Sequence, residues 1–441
     1  MFSPALRASE ADNSLAYSKA YDFFIDIEKK GLNFEHLSRR DIEEYQQMMV
    51  DSVCQHAADN NIFYRETLKL SNTGEHISLA AQPSLLKETI RGDTSLIKCC
   101  DDSRIGQIHL TSGTTGVPTY LAYTLADQYI YDLMPQYPSL FPYNSNDTIG
   151  IALPYEFALP ALGFQRLFQF VFGATCLSLG KGGYMAPVDK VLDLMKVYRP
   201  TVIATTPSYA ALLYDEAQKR GYDTADFGVQ SIILTGEGCS YTYRNRLEEI
   251  WKAKMFFFYG STEIGLIGAE CKQQQGYHIG EGHVVVEVVD EDGQLLDDGE
   301  VGELVVTTLL REGMPMIRYR TEDKGYVLST PCDCGCNMKK LFLLGRDKDQ
   351  LSIGDERISP FILENIILKC GKINLWYQFH LSNSGNLKIR CEKISPMIVD
   401  QDVISEIREL VKEYLKIDCD VEICSDIPRN IGKNQRVFIT G

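Results

Sequence analysis

The sequence lacks any apolar run long enough to cross a membrane. None of its segments approaches the roughly 18 consecutive apolar residues that a membrane-spanning helix needs. The first residues, MFSPALRASEADNS, also lack the basic stretch followed by an apolar one that marks a secretory signal. We therefore expect a cytoplasmic protein with no membrane partner.

Basic residues are also in short supply. The chain has 44 Lys and Arg residues against 60 Asp and Glu residues, which gives a formal net charge of −16. Because a general nucleic-acid-binding protein usually presents a basic face, no nucleic-acid partner is expected. A polyanionic substrate such as a nucleotide must instead be held by a locally arranged site.

The length predicts at least two domains, because 441 residues exceed one ordinary core. An apolar fraction of 44% and a charged fraction of 24% are typical of a soluble globular protein, and we expect a monomer or a homodimer. In a cytoplasmic chain, the 13 cysteines are expected to be thiols or metal ligands rather than disulfides. Most lie among apolar neighbours, but residues 332–336, CDCGC, form a cluster.

The order of apolar patterns predicts an α/β fold. Roughly the first 100 residues are expected to be mainly helical, with apolar residues at helical spacing over 41–53. After them, short apolar runs alternate with helical stretches, which predicts βαβ units around a largely parallel sheet. These runs are residues 148–153, 201–205 and 231–234.

Two further changes of pattern predict the domain organisation. Between residues 284 and 308 two apolar runs flank a turn, which indicates an antiparallel β subdomain. Ser359 followed by Pro360 is a sound helix start inside a unit that begins after Arg346. We expect a large N-terminal domain over residues 1–345, with mainly parallel sheets flanked by helices plus that subdomain. A small, mobile α+β domain is expected over residues 346–441.

The run TSGTTG at residues 111–116 indicates a phosphate-holding loop. Glycines let backbone N–H groups approach phosphate oxygens closely, and hydroxyl groups add further hydrogen-bond donors. It is not a Walker loop, because no Gly-Lys-Ser/Thr follows it. A phosphate-loop NTPase is therefore not favoured, and a Ser/Thr/Gly run standing alone is most often an ordinary loop.

A second segment, YGSTE at residues 259–263, follows the apolar run 255–258. The end of such a strand is where α/β proteins commonly place ligand sites. An aromatic ring there can stack on a base, and a carboxylate can hold Mg²⁺ beside phosphates. The alternative is a strand cap and a surface glutamate.

Three more segments offer charged groups for a nucleotide: RYRTED at 318–323, GRDKDQL at 345–351 and PRNIGKNQRV at 428–437. An aspartate can accept both ribose hydroxyls, and an arginine can add a contact to sugar or phosphate. A lysine on a glycine-flanked loop can neutralise charge that develops on oxygens. Each segment standing alone would be read as a solvated surface stretch.

Together, the five segments resemble those of the adenylate-forming superfamily of acyl-CoA synthetases, luciferases and peptide-synthetase adenylation domains. The resemblance runs from about residue 61 to residue 437. It is strongest to phenylacetate–CoA ligase-like enzymes, through FYR at 63–65 and the loop ending GVPT at 116–119. The run ILTGEG at 233–238 is similar to that branch, which usually has GAEP there.

This resemblance implies a role for each matching residue. The ATP phosphates would be held by Thr111, Ser112, Gly113, Thr114, Thr115 and Gly116. Adenine would be bordered by Gly236, Glu237 and Tyr259, with Gly260 and Ser261 completing the nucleotide-binding set. Thr262 would contact the α-phosphate, Glu263 would bind Mg²⁺, and Asp323 and Arg346 would bind ribose. Lys348 would be the hinge and Lys433 the catalytic lysine.

The reaction that this implies is the ATP-dependent activation of a small carboxylic acid. The carboxylate attacks the α-phosphate and pyrophosphate leaves, so catalysis rests on positioning and on neutralisation by Mg²⁺ and Lys433. The small domain then rotates and the acyl group passes to the thiol of CoA. Alternative acceptors are an amine or the phosphopantetheine of a carrier protein. A non-catalytic scaffold that binds nucleotide or zinc is the remaining alternative.

A set of cysteine and histidine residues predicts a structural Zn²⁺ site. Three or four thiolate and imidazole ligands from two loops make a closed tetrahedral site. Although Cys-x-Cys is shorter than the usual Cys-x₂-Cys spacing, phenylacetate–CoA ligase-like proteins show a similar arrangement. The predicted ligands are Cys271, His278, Cys332 and Cys334. Cys336 is an alternative to Cys334, and a reduced, metal-free thiol cluster is the other interpretation.

The segment PYEFALPALGF at residues 154–164 is where the resemblance places the acid. The branch usually has a glycine-rich run there, so the bulkier residues of this chain predict a changed pocket. Tyr155, Phe157 and Phe164 are the candidate lining residues, with a core role as the alternative. We expect an aryl or arylacetic acid; a medium-chain or amino-substituted acid is left open.

Overall fold

The computed structural model describes residues 15–70, 75–91, 93–111, 119–157, 159–353, 356–383, 385–431 and 435–440. Within these residues, no helix is both long and apolar enough to pass through a bilayer.

The helices alternate with strands along most of the chain. The α-helices are α1 Leu15–Lys29, α2 Arg39–Asn60, α3 Ile62–Thr67, α4 Lys87–Ile90, α5 Leu159–Arg166, α6 Val188–Tyr198, α7 Pro207–Lys219, α8 Tyr241–Trp251, α9 Pro360–Ile367 and α10 Asp400–Leu415. Short 3₁₀ helices cover Phe34–His36, Leu79–Ala81, Thr94–Ile97, Asp102–Arg104, Ala126–Gln136, Thr224–Phe227 and Asp347–Asp349. Residues Leu167–Val171 form a π-helical turn that extends α5.

The strands are β1 Ile105–Leu110, β2 Tyr120–Thr124, β3 Thr148–Ile151, β4 Thr175–Ser178, β5 Val202–Thr205, β6 Ser231–Thr235, β7 Lys254–Ser261, β8 Gly265–Ala269, β9 Tyr277–Ile279, β10 Val284–Val289, β11 Gly302–Thr308, β12 Tyr319–Leu328, β13 Lys340–Arg346, β14 Leu351–Ile353, β15 Glu356–Ile358, β16 Ile373–Ser382, β17 Leu387–Lys393, β18 Cys419–Ile423 and β19 Val437–Thr440. The three apolar runs predicted as strands correspond to β3, β5 and β6. The α/β fold class is confirmed.

The chain divides into two compact units. The first comprises Met1–Ser178 and Phe256–Leu343, and the second comprises Leu179–Met255 and Leu344–Gly441. The second unit therefore joins the expected small domain to a segment that precedes Phe256. The predicted boundary between residues 345 and 346 stays a prediction.

The first unit is built around antiparallel strands. Strands β7 to β13 lie side by side in the order β10-β11-β12-β13-β9-β8-β7. In the predicted strand–turn–strand segment, β10 and β11 pair antiparallel with Val284 opposite Thr308. The same unit contains the antiparallel hairpin β1–β2 and the parallel pair β3–β4. The loops between these strands carry most of the predicted site residues.

The second unit contains the strand pair β5–β6 and two separate sheets. Strands β5 and β6 run parallel, and all four residues of β5 are buried, as expected for a strand covered on both faces. The small-domain part has the sheet β18-β17-β16-β19 and the hairpin β14–β15. Helix α9 begins as predicted: the Ser359 hydroxyl accepts the Phe361 N–H, and Pro360 occupies the first turn. This part is therefore α+β, as expected.

Candidate active site

The predicted phosphate loop connects the two strands of the β1–β2 hairpin. The Thr111 N–H donates to the Thr119 carbonyl oxygen at 3.1 Å, and the Thr119 N–H donates to Thr111 Oγ1 at 3.1 Å. These two bonds close the base of the loop. The other predicted phosphate-binding residues, Ser112, Gly113, Thr114, Thr115 and Gly116, lie outside the described residues.

The predicted acid-binding segment lies against the last residue of β1. The Leu110 N–H donates to the Phe157 carbonyl oxygen at 2.9 Å. Phe157 has a φ of 60° and a side chain that is largely exposed, an unusual combination for an aromatic residue. Tyr155 donates its hydroxyl to Ser178 Oγ at 2.9 Å. Phe164 is buried, with its ring 5.7 Å from that of Phe258, so it packs in the core.

The YGSTE segment starts inside a strand, because β7 continues to Ser261 through its pairing with β8. At Gly260 any side chain would collide with the Gly265 carbonyl, so the close approach of these strands requires glycine. The turn that follows carries Glu263. The Tyr259 hydroxyl donates to Asp323 Oδ2 at 2.6 Å. Tyr259, predicted to border adenine, and Asp323, predicted to bind ribose, are thus neighbours.

Glu263 is buried, yet its carboxylate makes only long contacts among the described residues. Its Oε1 lies 3.7 Å from Lys87 Nζ and 3.5 Å from the Tyr319 hydroxyl. Burial, followed by the negative charges of Glu263 and Glu322, raises the pKa of Tyr319. Lys87 also lies 3.9 Å from Glu322. The sequence pattern did not single out Lys87, because a lysine in a short polar helix carries no local signal.

Two more side chains hold the backbone of this turn. The Tyr123 hydroxyl donates to the Thr262 carbonyl oxygen at 2.7 Å. Arg311 donates through Nη1 to the Glu263 carbonyl oxygen, and its guanidinium lies 3.9 Å from the Tyr123 ring centroid. Burial raises the pKa of Tyr123 to about 12, so its hydroxyl stays a donor at neutral pH. Neither residue was anticipated from the sequence.

A small cavity adjoins this turn and is lined in part by Asp127, His283 and Arg311. Burial lowers the pKa of His283 to about 4, and its Nε2 donates to the Leu266 carbonyl oxygen at 2.9 Å. Burial also raises the pKa of Asp127 to about 6. His283 is therefore neutral at pH 7, and its contact is structural.

The other predicted adenine-bordering residues belong to the second unit. Gly236 directly follows β6 and has a φ of 79°, a conformation that favours glycine. Glu237 is nearly buried, accepts the Ser208 hydroxyl at 2.8 Å and lies 3.7 Å from Lys181 Nζ. Lys181 is a further residue that the sequence did not indicate.

Of the ribose-binding candidates, Asp323 lies in β12 and Arg346 is the last residue of β13; the hinge candidate Lys348 comes just after β13. The Arg346 carbonyl accepts the Gln350 side-chain amide at 3.1 Å, and Lys348 is exposed in the 3₁₀ turn Asp347–Asp349. Lys433 lies outside the described residues. Arg429 and Arg436, which flank it in sequence, are each anchored by a buried glutamate, Glu392 and Glu364 respectively.

The four predicted zinc ligands come together in the first unit. One ligand atom from each of Cys271, His278, Cys332 and Cys334 lies within 4.8 Å of the others. The topology explains this, because Cys271 follows β8, His278 lies in β9, and β9 pairs with β13 next to the loop that carries the last two cysteines. Cys336 does not belong to this group.

The distances in this cluster suit a tetrahedral zinc ion. Cys271 Sγ and Cys332 Sγ are 3.8 Å apart, and Zn–S bonds of about 2.3 Å at tetrahedral angles place two sulfurs roughly 3.8 Å apart. His278 Nδ1 donates to the Met338 carbonyl at 3.1 Å, which leaves Nε2, 3.4 Å from Cys334 Sγ, as the ligand atom. Backbone N–H groups also donate to Cys271 and Cys334 sulfurs at 3.4 Å.

Comparison with known proteins places this geometry in a family. A family model described as AMP-binding enzyme matches residues 33–309. The phenylacetate-coenzyme A ligase of Thermus thermophilus is 29% identical over 356 residues, which cover 76% of each chain. The enzyme of the same name from Escherichia coli is 28% identical over 431 residues, covering 92% of this chain and 96% of its own.

A solved structure supports the same fold. The 2-hydroxyisobutyryl-CoA ligase in its postadenylation state superposes with a TM-score of 0.84 at 20% identity, covering 92% of this chain and 91% of its own. Because the family model spans well over half of the sequence, the chain belongs to the AMP-binding enzyme family. The predicted resemblance to the phenylacetate–CoA ligase-like branch of the adenylate-forming superfamily is confirmed.

Proposed function

We propose that this chain is an AMP-forming acid–CoA ligase. It activates a carboxylic acid with ATP, releases pyrophosphate and passes the acyl group to the thiol of CoA. The observation that carries the proposal is the turn at Glu263, where a buried carboxylate follows the Tyr259–Asp323 pair and makes only long contacts to the residues that the structure describes. Membership of the AMP-binding family and the names of its relatives support the same reaction.

The residues of the first unit suit the nucleotide end of this reaction. Glu263 would hold Mg²⁺, because its carboxylate oxygens retain lone pairs beside the long contacts to Lys87 and Tyr319. When bound, the ion would neutralise charge on the phosphate oxygens as pyrophosphate leaves. Tyr259 would border adenine, and its hydrogen bond would orient Asp323 toward the ribose hydroxyls.

The attack itself brings two anions together, so a cation beside the reacting oxygens is required. Lys433 is the proposed cation. Its segment is held at both ends, since Arg429 forms an ion pair with Glu392 and Arg436 forms one with Glu364. Rotation about Lys348 would then expose the acyl-adenylate to CoA.

The acid is proposed to be an aryl or arylacetic acid. The segment that contains Tyr155 and Phe157 lies against the strand that leads into the phosphate loop, through the bond between Leu110 and Phe157. An acid bound there would meet aromatic side chains next to the phosphates. The phenylacetate-CoA ligases among the relatives support this class.

ATP–pyrophosphate exchange against a panel of acids tests the proposal. We expect exchange with at least one aryl or arylacetic acid, and acyl-CoA formation when CoA is added. Exchange only with aliphatic or amino acids would contradict the proposed substrate class but support the ligase reaction. Absence of exchange with every acid would contradict the ligase assignment.

We further propose that Cys271, His278, Cys332 and Cys334 hold one structural Zn²⁺. The closed set of four ligands would leave no position for substrate, so the ion would brace the loop before β13 rather than take part in the reaction. Purified protein should contain about one equivalent of zinc, because structural sites bind it tightly. The Cys271→Ser variant should lose it, whereas Cys176→Ser, outside the cluster, should keep it. Less than half an equivalent in the wild type would contradict the proposal.

A further inference from the structure

A buried lysine stands next to the proposed adenine site in the second unit. The glycines at 180, 182 and 183 all have positive φ angles, of 67°, 68° and 81°. This backbone turns the Lys181 side chain inward, where only 4% of it is exposed. Lysine is almost never so buried without a partner, so its surroundings define its role.

Among the described residues, Glu237 is the carboxylate that forms an ion pair with Lys181. The Lys181 ammonium lies 3.7 Å from Glu237 Oε1 and 5.9 Å from the Tyr209 ring centroid. The same Glu237 oxygen accepts the hydroxyl of Ser208, a residue in the first turn of α7. The carboxylate is therefore held from two sides.

The loop that carries Lys181, residues 180–183, is hydrogen-bonded to α7, the helix that contains Ser208. The Gly182 N–H donates to the Tyr209 hydroxyl at 3.2 Å, and a side chain at 182 would collide with Ile431. Lys181, Ser208 and Tyr209 thus form one cluster around Glu237, which we call the Glu237 cluster. In this cluster Lys181 contacts the glutamate and is not a solvated surface lysine.

A negative carboxylate beside a bound nucleotide weakens binding by electrostatic repulsion, because ATP is a polyanion. The net charge of −16 on the chain adds to this repulsion. A cation in contact with the carboxylate cancels that repulsion, and the Ser208 bond keeps its orientation constant. We propose that Lys181 is a positioning residue for ATP that acts through Glu237. This inference rests on the proposed function, which places adenine at Gly236 and Glu237.

A double-mutant cycle tests the inference in ATP–pyrophosphate exchange. We expect Lys181→Met to raise the KM for ATP about tenfold and to change kcat less than about twofold, since it removes ground-state and transition-state binding alike. In a Glu237→Gln background the same substitution should change the KM for ATP less than about twofold, because that background has no carboxylate for Lys181 to neutralise. Lys181→Arg should restore most of the affinity. Lys190→Met removes an exposed lysine from α6 and controls for net charge.

Other outcomes overturn the inference. An equal rise in the KM for ATP in both backgrounds would mean that Lys181 contacts the nucleotide directly. An unchanged KM in Lys181→Met would mean that the pair has no role in binding. If Lys181→Met does not fold, the comparison of Glu237→Gln with the double variant still tests for direct contact, because the Glu237 carboxylate is absent from both. A rise in the KM for ATP there would overturn the inference.

Failure of the proposed function would look different. A wild-type protein that shows no exchange with any acid contradicts the ligase assignment. Calorimetric titration of the same four proteins with ATP alone would then still test Lys181. A tenfold loss of ATP affinity that disappears in the Glu237→Gln background would support its positioning role.

Discussion

Two buried glutamates, one in each unit, have opposite surroundings. Glu263 in the first unit is 6% exposed, and among the described side chains its cationic and hydroxyl contacts, Lys87 and Tyr319, lie 3.7 and 3.5 Å away. Glu364 in the second unit is 1% exposed, and Arg436 Nη1 lies 2.5 Å from its Oε1.

The Glu364 carboxylate oxygens also accept two further hydrogen bonds. The Tyr377 hydroxyl donates to its Oε1 and the Ser240 N–H donates to its Oε2. The Arg436 guanidinium lies over the Tyr243 ring, 4.6 Å from its centroid. A carboxylate satisfied in this way contributes to stability and specificity of packing, whereas one with long contacts keeps oxygens for an added cation. The comparison predicts a structural role for Glu364 and a functional one for Glu263, although both have a basic and a tyrosine partner.

The largest expected effect is on catalysis at Glu263. Glu263→Gln should lower the rate of ATP–pyrophosphate exchange by about 100-fold or more, because a charged group that acts on the transition state is lost. Its urea midpoint should change little, since the long contacts to Lys87 and Tyr319 contribute little to folding. Exchange kinetics and urea unfolding on the same preparation measure both quantities.

Glu88→Gln is a matched control for this variant, because Glu88 is exposed in α4 next to Lys87. It should retain wild-type exchange. A Glu263→Gln protein that keeps its exchange rate but unfolds early would reverse the comparison and make Glu263 the structural residue.

The next effect is on stability at Glu364. Glu364→Gln should reduce the free energy of unfolding by about 3 to 5 kcal/mol, because it leaves the buried Arg436 without its anion. The combined variant Glu364→Gln, Arg436→Met should recover part of that loss. Urea unfolding followed by circular dichroism gives these values. Glu409→Gln, on the exposed side of α10, should change stability by less than about 0.5 kcal/mol.

A smaller effect is the pH dependence of stability. It depends on buried ionisable groups that, among the described residues, have no ion-pair partner of the kind that Glu364 has in Arg436. His283 has a folded pKa of about 4, against an ordinary value of 6.5. Between these values the unfolded chain binds a proton that the folded chain does not, so stability falls as pH drops. We expect this histidine to reduce stability by about 1 to 2 kcal/mol from pH 7 to pH 5.

Asp127 works in the opposite direction. Its folded pKa of about 6 lies above the ordinary 3.8, so the folded chain binds the extra proton and stability rises as pH falls through this range. His283→Gln should therefore remove the loss on acidification and leave the gain from Asp127. Urea unfolding at pH 5 and pH 7 checks this; an unchanged pH dependence would mean that His283 does not control it.

Much of the fold was predictable from local pattern. The uninterrupted apolar run of β5 predicted a buried strand, and Ser359 with Pro360 predicted the start of α9, because both signals act over a few residues. The candidate zinc ligands were predictable for a related reason. They were named from the Cys-x-Cys spacing and the family resemblance, and their ligand atoms lie within 4.8 Å of one another.

The partners of the site residues were not predictable in this way. Lys87, Lys181 and Arg311 lie in segments whose composition is ordinary for a surface, and nothing local indicates which side chains they contact. Phe164, named from the sequence as a candidate pocket residue, packs against Phe258 in the core. An aromatic side chain has the same local pattern in either role.

By itself, the sequence determined the α/β class, the family and the order of the segments that carry chemistry, since these depend on residue type and spacing along the chain. Only the tertiary structure decided which charges are satisfied. Glu263 and Glu364 are chemically identical, and whether a carboxylate keeps oxygens for a cation depends on donors contributed by residues as far away in sequence as Lys87 and Ser240. Ion pairing and hydrogen bonding act through distances in space, which spacing in sequence does not specify.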